Sequence, residues 1–457
     1  MRPLYTVNHL HPSYTKLNEW IKNKEYEIFR DQLLRLHNYD QVVWFRKLQD
    51  PSLRQRVYEQ LSAKEMAEIF QKLPVNEQVK FSGEMDEQKR GKVFSNMSTN
   101  RLADLFGELP NSVIHQTIDE MDAEKARTAM QLMEHEENTA GSIMTTEFIS
   151  FFEELTVEEA IANLREAAYE AETIFYVYVE DSDHKLVGVI SLRHLLYVDE
   201  EKKLKEVMKN DLIYVQQDED QENVAKLTKD YDLIAVPVVD DNEHLLGIIM
   251  VDEIMDVVEE EATEDLGEFA ASRGALGVEI SALKATKKRA PWIMGLLLIG
   301  MITAQIIGYF ESTLQEVVML SAFIPLVMGA AGNTGTQTLA VIVRRIANNH
   351  LDKKTIGKLI LRELSAGFMI GVCAAAVLLI IIPIFYDQNW ALAFIVGGSV
   401  FIALGFATLI GCVIPIVIQK LNIDPAVASG PFITTTNDMV SLVIYFIIST
   451  TFLGYLQ

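Results

Sequence analysis

The chain has 457 residues, enough for about three domains of ordinary size. Its formal net charge of −24 is unevenly divided: residues 284–457 carry 11 lysines and arginines against 7 aspartates and glutamates, and residues 1–283 carry 29 against 57. Such an acidic part repels phosphates, which argues against nucleic acid and favours a cation or a basic partner. The two cysteines, Cys373 and Cys412, lack metal-ligand spacing, which argues against a disulfide framework or a zinc site.

A helical repeat occupies residues 20–135. The segment LSAKEMAEIFQKLP at 61–74 returns 36 residues later as MSTNRLADLFGELP, and MDEQKRGKVFSNM at 85–97 returns at the same spacing. Both pairs keep apolar residues at helical spacing, which predicts an α-helical, solenoid-like domain over residues 1–135. Because it has no nucleophile–base pattern and no His/Cys cluster, we expect a binding or regulatory surface and no enzyme. Its first 20 residues lack a long apolar run, so we expect no cleaved signal peptide and a cytosolic acidic part.

A second repeat lies within residues 143–260. The segment LVGVISLRHLL at 186–196 recurs 59 residues later as LLGIIMVDEIM, and each copy predicts a β-α-β-β-α unit. The pattern resembles a tandem CBS module, which implies an α/β ligand sensor that often forms dimers, with copies over residues 136–205 and 206–262. The resemblance leaves ATP open as a ligand of the pair, because Ser191 in one copy is matched by Met250 in the other.

The junction VDEIMDVVEEEATEDLGEF, at 251–269, is strongly acidic. On a helix, five of its carboxylates fall within about 140° of one another; they are Glu253, Asp256, Glu260, Glu261 and Glu264. Such carboxylates repel one another unless cations intervene, so the face is either solvated or binds cations. Residues 263–289, which end in KATKKR, are predicted to form a connecting helix along the membrane surface; the alternative is a passive linker.

Five uncharged apolar runs fill the rest of the chain, and each can cover the roughly 20 residues that cross a bilayer. Their positions are 291–310, 317–343, 364–386, 388–419 and 439–457. They predict an all-α transmembrane domain of five helices over residues 290–457. The basic connections belong on the cytoplasmic side, which places the N-terminus inside and the C-terminus outside. Because five helices are few for a complete pathway, we expect a homodimer.

Two polar stretches interrupt these apolar runs. In PLVMGAAGNTGTQ, at 325–337, proline and glycines are predicted to break the helix and free backbone carbonyls, which, with the Asn333 and Gln337 amides, suit Mg²⁺ or its water shell. The alternative is a packing kink. In SGPFITTTNDMVSLVIYFIIST, at 429–450, Asp438 lies inside a predicted helix. A carboxylate there costs about 2.5–3.5 kcal/mol on insertion scales, so it is expected to face a cavity, a partner or an ion, the alternative being a protonated or water-exposed structural residue.

The motifs PxxxGxxGNxGxQ and DPAxxSGPFxTTxxD, at 325–337 and 424–438, closely resemble the membrane domain of MgtE-type magnesium channels, and the resemblance extends over nearly the whole chain. It implies that Asp438 is the central Mg²⁺ ligand, that the carbonyl of Thr434 lies beside it, that Asn333 lines the pore and that Asp424 lies at its cytoplasmic mouth. It also assigns a set of junction carboxylates to regulatory Mg²⁺ binding; they are Glu253, Asp256, Glu261, Glu264 and Asp265.

These observations together favour a Mg²⁺ channel or transporter of the plasma membrane that moves Mg²⁺ into the cytoplasm. Mg²⁺ bound to the acidic cytoplasmic domains would close it, because ions that bind one state better shift the population toward that state. Two alternatives are a proton- or sodium-coupled divalent cation exchanger and a membrane-anchored Mg²⁺ sensor without flux. The residue types do not separate Mg²⁺ from Co²⁺, Mn²⁺ or Ni²⁺, since all four accept oxygen ligands.

Overall fold

The computed structural model describes residues 14–167, 173–272, 281–348, 353–421, 424–425 and 428–455. The chain divides into two compact units, Met1–Val258 and Glu259–Gln457. The first holds a helical stack followed by two α/β repeats, and the second holds long apolar helices. The predicted fold class, a multidomain membrane protein with these three parts, is confirmed.

Ten short helices, α1 to α10, follow one another at the start of the first unit. Their bounds are Tyr14–Lys22, Tyr26–Leu34, Asn38–Lys47, Pro51–Gln60, Ala63–Phe70, Val75–Ser82, Glu87–Phe94, Thr99–Glu108, Asn111–Ile118 and Ala123–Leu132. Aromatic side chains fill the core between them, among them the fully buried Trp44, Phe45, Phe70, Phe94 and Phe106. The periodic apolar residues of the 36-residue repeat therefore form one continuous core, as expected for stacked helix pairs.

Helix caps show the same repeat at a finer level. Asp86 and Asp122, 36 residues apart, cap α7 and α10 by accepting hydrogen bonds from backbone amides. Ser62 caps α5 in a reciprocal capping box with Glu65, whereas Ser98, the equivalent residue at α8, makes no side-chain cap. The two repeats therefore differ at the start of α8.

Two β-α-β-β-α units follow, as predicted. The elements of the first are β1 Ser150–Phe152, α12 Val157–Ala167, β2 Tyr176–Glu180, β3 Leu186–Ser191 and α13 Leu192–Leu195, preceded by α11 Ala140–Ile143 and followed by α14 Leu204–Val207. The elements of the second are β4 Val215–Gln216, α15 Gln221–Asp230, β5 Ala235–Val239, β6 Leu245–Met250 and α16 Val251–Phe269. In each unit the first strand pairs in parallel with the second, which pairs antiparallel with the third. The hairpins turn through His184 and Glu243, 59 residues apart and both at positive φ.

Among the described residues of the second unit, five long helices are apolar enough to cross a membrane, which confirms the predicted five; the spans are Ala282–Tyr309, Val318–Ile346, Thr355–Phe385, Trp390–Lys420 and Gly430–Thr451. The corresponding helices are α17 Ala282–Tyr309, α19 Ile324–Asn348, α20 Lys353–Phe385, α21 Trp390–Lys420 and α22 Gly430–Thr451, with α18 Glu311–Glu316 in between. Helix α21 packs against α19, α20 and α22, whereas α17 has no buried residue.

The predicted break in the helix at 325–337 is wrong, because α19 continues through the whole stretch. Irregular backbone lies just before it instead, in the 3₁₀ segment Val318–Phe323. There the buried Tyr445 hydroxyl donates to the Leu320 carbonyl at 2.7 Å, which satisfies a backbone group that lipid would leave unpaired.

Two glycines of α19, Gly332 and Gly335, allow close packing, whereas Gly329 faces open space. A Cβ at Gly335 would lie 1.8 Å from the Nδ2 of Asn437 on α22, and a Cβ at Gly411 of α21 would lie 2.5 Å from the Gly335 carbonyl oxygen. At this point α19 and α21 cross with no side chain between them, and the Asn437 side chain of α22 fills the space beside Gly335. Close packing of this kind explains why a glycine-rich stretch stays helical.

The predicted connecting helix over residues 263–289 is also wrong as a single element. Residues 263–269 are the end of α16, because no proline or other breaker separates them from the acidic run. Residues 282–289 begin α17, whose start is capped by the Ser281 side chain. Residues 273–280 lie outside the described part of the chain, and the domain boundaries themselves remain predictions.

Candidate ion site and acidic helix

Thr434 and Asp438 lie one turn apart on the same face of α22, opposite Gly332 of α19. A Cβ at Gly332 would lie 2.8 Å from Thr434 Cγ2 and 3.4 Å from Asp438 Oδ1. Because glycine adds no side chain there, the Asp438 carboxylate approaches α19 closely. Asp438 is only half-buried, and none of the described basic side chains forms an ion pair with it. Its carboxylate is therefore available to a cation.

An open cavity of about 800 Å³ reaches the start of this face. Apolar residues form part of its wall, and five hydroxyl or amide side chains also line it, those of Asn333, Thr336, Gln337, Thr434 and Thr435. The hydroxyls of Thr336 and Thr434 lie 3.1 Å apart and so tie α19 to α22. Two residues assigned to the pathway by resemblance, Asn333 and Thr434, thus lie in one cavity, together with oxygen donors that suit a hydrated cation.

The end of α16 reaches the same cavity. Phe269 and Ala270 line it, and a Cβ at Gly430, the first residue of α22, would lie 3.5 Å from the Phe269 carbonyl oxygen. The acidic helix therefore contacts the helix that carries Asp438.

Carboxylates from two distant segments meet near this end of α16. Burial raises the pKa of Asp265, and the charges of Asp424 and Glu264 raise it further, while Arg344 at the end of α19 opposes the shift. Three residues assigned by resemblance are thus close enough to repel one another. Glu261, one turn before Asp265, is partly buried on the same helix. Sequence reasoning missed Arg344, which carries no motif beyond its place in a basic connection.

Glu253 and Asp256, at the other end of α16, meet a fixed cation. The Arg101 guanidinium of α8 lies 3.0 Å from Glu253 Oε1 and 2.6 Å from Asp256 Oδ2. Burial raises the pKa of Glu253, and Arg101 opposes that rise. Sequence reasoning missed Arg101, which lies 155 residues away from Asp256.

The nine predicted site residues all lie within the described ranges. Within those ranges, no three His, Cys, Asp or Glu side chains of one chain converge as a metal site. The Asp438 carboxylate therefore needs ligands from water, from backbone or from a second copy to complete an ion site.

Three family profiles match the chain. A divalent cation transporter profile, MgtE, matches residues 324–448, the MgtE intracellular N domain matches 36–138, and CBS domains match 140–201 and 204–260. Among solved structures, the soluble part of a magnesium transporter is 38% identical with a TM-score of 0.53, covering 55% of this chain and 98% of that one. The cytosolic domain of the Mg²⁺ channel MgtE in complex with ATP is 33% identical with a TM-score of 0.51, covering 53% and 99%.

Curated relatives cover more of the chain. The magnesium transporter MgtE of Thermus thermophilus is 38% identical over 69% of this chain and 70% of its own length, and that of Bacillus subtilis is 42% identical over 72% and 73%. The magnesium transporter MgtE of Enterococcus faecalis is 45% identical over 97% of both chains. An agreement of that extent, together with profiles for all three parts, shows that this chain belongs to the MgtE family of transporters and is not an enzyme.

Proposed function

We propose that this protein carries Mg²⁺ into the cytoplasm past Thr434 and Asp438, and that Mg²⁺ bound to the acidic end of α16 closes the pathway. The observation that carries the proposal is the Asp438 carboxylate set against Gly332, beside a cavity of hydroxyl and amide groups. Its relatives are magnesium transporters by name, and one solved relative is a Mg²⁺ channel.

The chemistry of the pathway suits a hydrated ion. Mg²⁺ gives up its water reluctantly and is usually held through a few carboxylates and several waters. Hydroxyls and amides, such as those of Thr336 and Asn333, can form hydrogen bonds with these water molecules while the water stays bound to the ion. The negative charge of Asp438 then favours a divalent cation where this part of α22 approaches Gly332 of α19.

We propose a homodimer in which two Asp438 carboxylates share one ion. A single carboxylate in one chain does not complete a site. Helix α17 has no buried residue and leaves Ile293, Leu297 and Leu298 exposed, an apolar surface available to lipid or to a second copy. The membrane would be the plasma membrane, with the N-terminus cytoplasmic and the C-terminus outside.

The proposed regulation rests on Glu261, Glu264 and Asp265, with Asp424 opposite. Repulsion between Asp265 and Asp424 opposes close approach of their segments, and bound Mg²⁺ would remove it. Because α16 ends against the first residue of α22, a change in its position would be transmitted to the helix that carries Asp438. Glu253 and Asp256 remain predicted Mg²⁺ ligands, but Arg101 already pairs with both.

ATP binding to the CBS pair stays a proposal. A relative's cytosolic domain was solved with ATP. In this chain the Ser191 hydroxyl accepts a hydrogen bond from the His194 amide as the cap of α13, so that hydroxyl has a structural use already. Calorimetric titration of the purified protein with ATP tests the point: no heat of binding would argue against an ATP site.

The test of transport is Mg²⁺ uptake by liposomes that contain only the purified protein and a Mg²⁺-sensitive dye. An imposed potential drives uptake without a proton or sodium gradient, and internal Mg²⁺ is kept low. We expect uptake in wild type, its loss in Asp438→Asn, and normal uptake in Asp387→Asn, a control at an exposed aspartate of the same unit. Uptake only with an ion gradient would favour the coupled exchanger, and binding without uptake would favour the sensor.

A further inference from the structure

The helical domain contacts the second CBS repeat through a cation of its own. Arg101 lies between Glu253 and Asp256 at hydrogen-bonding distance from both carboxylates, and all three residues belong to the first unit. The neighbouring Asn100, 3% exposed, hydrogen-bonds to Glu253 through its side chain. Two consecutive residues of α8 therefore hold the carboxylates at the start of α16.

A second polar contact reinforces the first. Lys125 of α10 pairs with Glu147, which lies between α11 and β1. The Thr99 hydroxyl donates to the same carboxylate at 2.9 Å and lies 3.2 Å from the Thr146 hydroxyl. In this contact too, a basic side chain of the helical domain pairs with a carboxylate that lies outside that domain.

The same two domains also share an apolar contact. Ala103 and Leu132 of the helical domain are buried in the same cluster as Val236, Ile254 and Val257 of the second CBS repeat. The contact therefore combines buried apolar side chains with two sets of ion pairs. The domains of the first unit are thus held by groups that the chain itself supplies.

Comparison of the two helical repeats shows that Arg101 is unusual. Arg101 occupies the third position of α8, and the equivalent residue of α5 is Glu65, which completes a capping box with Ser62. Arginine cannot complete such a box, and a positive charge near a helix N-terminus is unfavourable. Ser98 accordingly makes no side-chain cap. A local loss of this kind is expected where a residue serves a contact elsewhere.

We infer that Arg101 takes the place of Mg²⁺ at Glu253 and Asp256, so that the helical domain stays docked on the second CBS repeat without Mg²⁺. A guanidinium presents several donors to carboxylates and is weakly hydrated, whereas Mg²⁺ would have to shed water and displace Arg101 from its partners. The inference rests on the first unit alone. It goes beyond the proposed function by confining the Mg²⁺-dependent step to Glu261, Glu264 and Asp265.

The test is a distance measurement on the full-length protein in lipid nanodiscs. Cys373 and Cys412 are replaced by alanine, and spin labels are attached at Arg127→Cys on α10 and Lys229→Cys on α15, both exposed positions. In wild type we expect one narrow distance distribution with chelator, unchanged by saturating Mg²⁺. A wild-type distribution that is broad with chelator and narrows only with Mg²⁺ would overturn the inference.

Charge exchange separates this role from simple destabilisation. Arg101→Glu should broaden the distribution in chelator, and adding Glu253→Arg, which restores an opposite pair, should narrow it again. In Arg101→Lys, which keeps the positive charge, the helical domain should stay docked and the distribution should stay narrow. A distribution that stays narrow in Arg101→Glu would show that Arg101 does not hold the domain. Because none of these measurements requires Mg²⁺ flux, they fail or succeed independently of the transport proposal.

Discussion

The two ends of the acidic helix α16 meet opposite environments. At its start, Glu253 and Asp256 face the guanidinium of Arg101. Toward its end, Asp265 and Glu264 lie near another carboxylate, Asp424, with Arg344 as a partial counterweight. At the start of α16 the acidic pair shares one guanidinium, whereas toward its end carboxylates from two segments of the chain gather beside Arg344. Both ends of α16 are acidic in the sequence, so the number of carboxylates does not reveal that their surroundings differ.

The largest effect is expected when a further cation is placed at the second end, beside Asp424 and Glu264. Asp265→Lys should pair with Asp424 and Glu264 and hold the closed arrangement without Mg²⁺. We expect Mg²⁺ uptake by liposomes with chelator inside to fall by about a hundredfold, which corresponds to about 2.7 kcal/mol.

The control for this change is Glu259→Lys, an exposed charge reversal on a different face of the same helix. It should leave uptake within about twofold of wild type, since exposed charges contribute little. Equal inhibition by both variants would mean that net charge, and not the position of Asp265, governs the pathway.

A second change tests whether α19 and α22 form the fixed frame that such a response requires. In Gly335→Ala the added methyl group would overlap the Asn437 amide, and overpacking of this kind costs about 1–3 kcal/mol. We expect at least about tenfold lower uptake and a lower melting temperature in detergent.

Gly329→Ala is the matched control, because no atom lies within 4 Å of the Cβ it would add. Normal uptake in both alanine variants would show that the close approach at Gly335 is not needed.

A third change tests how much the ion pairs of Arg101 stabilise α8 and the start of α16. Arg101→Gln leaves the partly buried Glu253 without its ion pair, a loss we place at about 1–2 kcal/mol because Arg101 keeps 30% of its side chain exposed. Hydrogen exchange in the full-length protein should speed up about tenfold in α8 and at the start of α16. Unchanged exchange there would argue that Ala103 and Leu132 suffice for docking.

The smallest effect is expected where α16 meets α22. Phe269→Ala removes a ring from the cavity wall near Gly430 without changing any charge. The Mg²⁺ concentration that half-inhibits uptake should rise about threefold, or about 0.7 kcal/mol, with maximal uptake unchanged. A shift in maximal uptake alone would assign Phe269 to the pathway itself.

The elements with an internal repeat were predictable in most detail. Segments that recur after 36 or 59 residues must adopt the same structure twice, so each apolar pattern supports the other. The caps at Asp86 and Asp122 and the turns at His184 and Glu243 repeat in the structure as they do in the sequence. The membrane helices were predictable from length and hydropathy alone.

Two local predictions failed for a common reason. Glycines in 325–337 suggested a broken helix, and residues 263–289 were expected to form one connecting helix, but neither prediction took account of the neighbouring segments. Neighbouring helices fill the space left by Gly335, and nothing in 251–269 stops a helix from continuing. Propensity is a weak predictor where tertiary contacts decide.

The site was predictable where its residues share a helix and unpredictable where they meet from distant segments. Asp438 and Thr434 are one turn apart, so their common face follows from helix geometry. Arg101, which pairs with Asp256, and Asp424, which lies near Asp265, come from distant segments of the chain. Only folding brings them to the acidic helix. The departure of Arg101 from its repeat was the one signal that a sequence comparison within the chain offered.

The seam of glycines between α19, α21 and α22 has a mechanical consequence. At Gly335 and Gly411 the backbones of α19 and α21 meet directly, and Gly335 also meets the Asn437 side chain of α22. A side chain added at either glycine would therefore force the neighbouring helices apart. Side-chain rotation cannot open a contact made by backbone atoms, so α19 and α21 separate at this point only if a whole helix moves.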